Sequence, residues 1–67
     1  MIQELIRQLK VNEVELAQLE LELRHTDPSY STYADIISEI EMTRFERTIL
    51  QSELEKALDD AKQYLNA

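Results

Sequence analysis

Residues 24–37 read RHTDPSYSTYADII, and they hold the only proline and the only histidine of the chain. On either side lies a long run with helical spacing, and the whole chain contains no glycine. The stretch therefore either kinks one helix or turns the chain back on itself. Pro28 has no amide hydrogen, and its ring disfavours helical geometry at Asp27. An unbroken helix through this point would cost about 3 kcal/mol. Asp27 is also a good N-cap, with Pro28 at the favoured first helical position. Thr32 and Asp35 offer a second start signal. A stop followed at once by a start predicts a hairpin, with the second helix beginning at 28 or at 32.

The run before the turn carries Ile2, Leu5, Leu9, Asn12, Leu16, Leu19 and Leu23, in alternating steps of three and four. That is a coiled-coil seam, apolar except at Asn12. The run after it carries Tyr33, Ile36, Ile40, Thr43, Arg47, Leu50, Leu54, Ala57, Ala61 and Tyr64 in one stripe, with Leu58 and Leu65 beside it. The expected fold is all-α: a single antiparallel, coiled-coil-like two-helix hairpin over residues 1–67. Its first helix spans about 2–25, its turn about 26–31, and its longer second helix about 32–65. Folding about residue 29 places Asn12 near residue 46. The polar residue of the first seam then meets the polar break at Thr43 and Arg47, as a layer that fixes register. It also leaves the end of the second helix, with Leu58, Tyr64 and Leu65, beyond the reach of the first.

A second apolar set lies away from each seam. Val11, Val14 and Leu21 form it on the first helix, and Met42, Phe45 and Ile49 on the second. A two-helix hairpin has one internal seam, so one of the two stripes of the second helix must face outward. Aligned apolar residues on an outer face mark a surface for a partner. The expected partner-binding residues are Met42, Phe45 and Ile49, with Val11 and Val14 on the first helix and Leu58, Tyr64 and Leu65 on the overhang.

Composition narrows the function. Sixty-seven residues make a poor core, and two helices barely offset the entropy of ordering them. With no cysteine, no disulfide exists to help, and one histidine does not make a zinc site. Association is the expected source of stability. Lys plus Arg total 7 against 14 Asp plus Glu, a net charge of −7. That balance is the reverse of what nucleic acid or anionic membranes require. No apolar run reaches spanning length, and MIQELIRQLK lacks a signal peptide's apolar core, so a cytoplasmic location is expected. No constellation for catalysis is present, and no cofactor or metal is expected. His25 has no cysteine to pair with, and Ser29 and Ser31 read as turn residues. The glutamates of both helices read as solvated faces, since a hairpin offers no pocket in which carboxylates could act.

An acidic chain of this size, with a Leu-rich first helix, an Asp27-Pro28 turn followed by Tyr30 and Tyr33, and a longer second helix, resembles the small co-chaperones of type III secretion needle proteins. The resemblance implies a helical hairpin that binds and stabilises a second chaperone of tetratricopeptide-like fold. Together the two would hold the needle subunit monomeric in the bacterial cytosol before export. The alternative is a homodimeric four-helix bundle that acts as a regulator by protein contact.

Overall fold

The computed structural model describes residues 1–66 and contains two helices, α1 (Ile2–Arg24) and α2 (Ser31–Asn66), of 23 and 36 residues. They pack against each other as a hairpin. The cross-helix pairs run antiparallel: Glu13 meets Arg47, and Glu20 meets Arg44. At about 1.5 Å per residue, α1 is roughly 35 Å long and α2 roughly 54 Å. The molecule measures 58 × 14 × 13 Å, so α2 alone sets its length.

The turn shows how a glycine-free chain reverses. Every residue of it keeps a negative φ. α1 closes on tight i→i+3 bonds, from His25 N–H to the Glu22 carbonyl and from Thr26 N–H to that of Leu23. The Thr26 hydroxyl also donates to the Glu22 carbonyl, at 2.7 Å, giving that oxygen at the helix end a second donor beside the His25 N–H. Asp27 then begins the return. Its Oδ1 accepts from the Ser29 amide at 2.9 Å and from the Ser29 hydroxyl at 2.8 Å. Those bonds hold the Asp27 carboxyl below the usual carboxylate range. Asp27 thus caps one isolated turn, closed by Tyr30 N–H on the Asp27 carbonyl, and α2 proper starts only at Ser31. The start lies between the two positions the sequence offers, because the capping residue and the helix it serves are separated by that turn.

The inward stripe of α2 is the one running from Tyr33 through Ile36, Ile40, Leu50 and Leu54 to Ala61. Tyr64 does not belong to it. That residue is largely exposed, beyond the end of α1. The core is thin. Among the described residues only Leu5 (7 % exposed) and Ile40 (6 %) are buried apolar residues, and no side chain is completely enclosed. The other seam leucines are half-buried, as the seam of a two-stranded structure must be when it is open on both flanks.

Candidate protein-binding faces

At the level of Asn12 the apolar seam is interrupted, and the interruption is structured. Asn12 is 3 % exposed and Thr43 is 8 % exposed. The Asn12 Nδ2 donates to the Thr43 carbonyl at 3.0 Å, while the Thr43 hydroxyl turns back to the Glu39 carbonyl at 2.8 Å. Glu13, the next residue, pairs with Arg47. The polar residue of one seam therefore meets the polar break of the other. Asn12 Oδ1 is buried and has no hydrogen-bond partner.

The two flanks of the hairpin differ in charge. On one, Glu13 pairs with Arg47 at 3.3 Å and Glu20 with Arg44 at 3.4 Å, each pair crossing from α1 to α2. Glu13, Glu20 and Arg44 stand at flanking positions of the heptad, where such pairs form, and Arg47 reaches Glu13 from the polar break of the seam itself. Two of the glutamates expected to be simply solvated are thus cross-helix partners. On the opposite flank lies an open cleft of about 500 Å³, walled by Val11 and Asn12 from α1 and by Ile49 and Leu50 from α2. It continues toward the turn over Leu19 and Met42. A hairpin is expected to offer no enclosed pocket, and this furrow is an open groove along the flank of the seam. Glu15 and Glu46 border both parts of it, and Glu22 and Glu39 border the second. Among the described residues none of these four forms an ion pair. At the far end, Arg7 and Glu4 neutralise each other at 2.6 Å, and the guanidinium bond holds the Glu4 carboxyl below its ordinary range.

The residues expected to bind a partner fall into four places. Val11 and Ile49 come together in the cleft, and Met42 lies in its continuation. Phe45, 68 % exposed, lies on the outer side of α2 beside Met42, in a shallow hollow built from that helix alone. Val14 lies about 200° round α1 from Asn12, on the back of the helix, and is exposed there. Leu58, Tyr64 and Leu65 are exposed on the overhang, apart from the others. The four cleft glutamates were missed as a group. Their seven-residue spacing within each helix is visible in the sequence, but only the register between helices brings the two pairs to one furrow.

Among the described residues no three His, Cys, Asp or Glu side chains converge as a metal site requires, and no helix is long and apolar enough to cross a membrane. Comparison with protein-family models, with curated proteins and with solved structures finds no match to this chain.

Proposed function

We propose that this chain is a non-enzymatic protein-binding module, a cytoplasmic hairpin that completes its packing against another helical protein. The observation that carries this reading is the imbalance between core and surface. Two apolar side chains are buried, while Met42, Phe45 and Ile49 stand exposed in line along α2. Apolar residues aligned in this way are what a partner helix takes up, in spacings of three and four. The co-chaperone role implied by the sequence resemblance is the specific form of this proposal. The partner is then a tetratricopeptide-like chaperone holding a type III secretion needle subunit before export. What supports that form is the chain's size, acidity, turn and unequal helices.

A homodimeric four-helix bundle is the second reading, and one feature favours it. Around Phe45 the outer face of α2 is nearly symmetric, with Met42 and Ile49 next to it and Ser38 and Ser52 seven residues away on either side. Such a stripe is self-complementary about a two-fold axis.

The test is Phe45→Asp. The variant is expected to keep its helicity by circular dichroism and to lose binding to the co-expressed partner chaperone. Binding that survives within about twofold ends the outer-face reading. Light scattering of the isolated chain separates the two forms: a dimeric mass that Phe45→Asp reduces to a monomer selects the homodimer.

A further inference from the structure

We propose that the cleft between α1 and α2 on the Val11–Ile49 flank receives a basic amphipathic helix from a different protein. This rests on the reading of the chain as a protein-binding module and names the chemistry of what it binds. Three observations converge. The walls are apolar, from Val11, Ile49 and Leu50. The rims are acidic: Glu15 and Glu22 lie seven residues apart on α1, and Glu39 and Glu46 seven apart on α2. Against these rims the one cation lining the furrow among the described residues is Arg7, and Glu4 neutralises it. The third observation is independent of charge. Asn12 lines the same cleft, is 3 % exposed, and carries an acceptor, Oδ1, with no donor. A lysine, arginine or amide side chain supplies such a donor, reached when the Asn12 amide turns its buried Oδ1 toward the cleft.

These features fix the occupant's pattern. Seven residues advance a helix by about 10.5 Å. A third helix laid along the furrow meets the two tiers of glutamates with Lys or Arg at positions i and i+7 on each edge, and fills the floor with apolar residues between them. A second copy of this chain does not suit the site, because its matching face would set four more glutamates against the first four. Like charges so placed oppose association.

The experiment uses the full chain and two synthetic helical peptides with the same leucine stripe. One carries Lys and the other Glu at the flanking positions. Binding is measured by isothermal titration calorimetry at low salt, with the wild-type chain and two variants of equal net charge. Glu15→Gln/Glu46→Gln alters the cleft, and Glu13→Gln/Glu20→Gln alters the opposite flank. Circular dichroism checks that each is folded. The Lys peptide is expected to bind at least about tenfold more tightly than the Glu peptide. The cleft variant should weaken it at least about fivefold more than the flank variant does, and the Asn12 side-chain amide resonance should shift on binding. A smaller preference, equal loss in the two variants, or no binding of either peptide overturns the proposal. None of these outcomes touches the outer-face reading, which stands or falls with Phe45→Asp.

Discussion

The side-chain amide of Asn12 donates to the backbone carbonyl of Thr43 at 3.0 Å, joining the two helices through the middle of their seam. The bond spends one polar group of Asn12 and leaves the other, Oδ1, buried without a partner. Here register is gained at a cost in stability. A slip of the helices by a heptad would set the amide against Ile36 or Leu50 in place of Thr43.

Asn12→Leu is expected to stabilise the hairpin by about 1–2 kcal/mol, because it removes an unsatisfied buried acceptor and adds apolar burial. Asn12→Asp is expected to destabilise it by about 3 kcal/mol at neutral pH, since a buried carboxylate would face a carbonyl oxygen. Thermal melts followed by circular dichroism measure both. An Asn12→Leu variant that melts below the wild type would contradict this account of the layer.

The two buried apolar residues carry an unusual share of the core. Ile40→Ala is expected to cost about 2–4 kcal/mol, enough to unfold an isolated hairpin of marginal stability. Val14→Ala, on the exposed back of α1, should change stability by no more than about 0.5 kcal/mol. Urea melts of the two variants give the comparison.

The cross-helix ion pairs are expected to orient more than to stabilise. Their side chains are 37–63 % exposed, where such pairs contribute about 0.2–1 kcal/mol. A double-mutant cycle on Glu20 and Arg44 should return a coupling energy in that range, shrinking toward zero at high salt. A larger, salt-independent coupling would show that the flank is drier than its exposure implies.

Asp27 gives the turn a dependence on pH. Its carboxyl lies below the ordinary aspartate value because Ser29 donates twice to the charged form. A lowered folded-state value stabilises the fold at pH above the unfolded aspartate value, about 3.9. That contribution is lost as pH falls through the folded value. The melting temperatures of the wild type and Asp27→Ala should therefore differ by a constant amount from about pH 7 to 5 and converge below about pH 4. Comparing the two chains removes the titration they share. A gap that widens in acid would reverse the assignment.

The hairpin was legible because Pro28 and the heptad of leucines speak to separate questions, where the chain turns and which face it buries. The meeting of Asn12 with Thr43 was legible too, since only one polar interruption on each helix had to be matched. The choice between the two stripes of α2 was not. Both have helical spacing, and the inward one prevails because it runs the length of α1, from Tyr33 to Ala57, while Met42, Phe45 and Ile49 cover only two turns. The acidic furrow was hidden for another reason. Glu15 and Glu46 become neighbours only after the helices pair, and no local pattern in either helix records it.

The unequal helices also govern how the molecule moves through water. A compact chain of this length would have a radius of gyration of about 11 Å; this one has 16.3 Å. Such a rod tumbles slowly end over end and quickly about its long axis. Its amide relaxation rates will depend on the orientation of each N–H bond, uniform within a helix and different in the turn. On a sizing column it will elute ahead of a sphere of equal mass, so a single chain can pass for a pair. Shape, not self-association, is the first explanation to remove when its size is read.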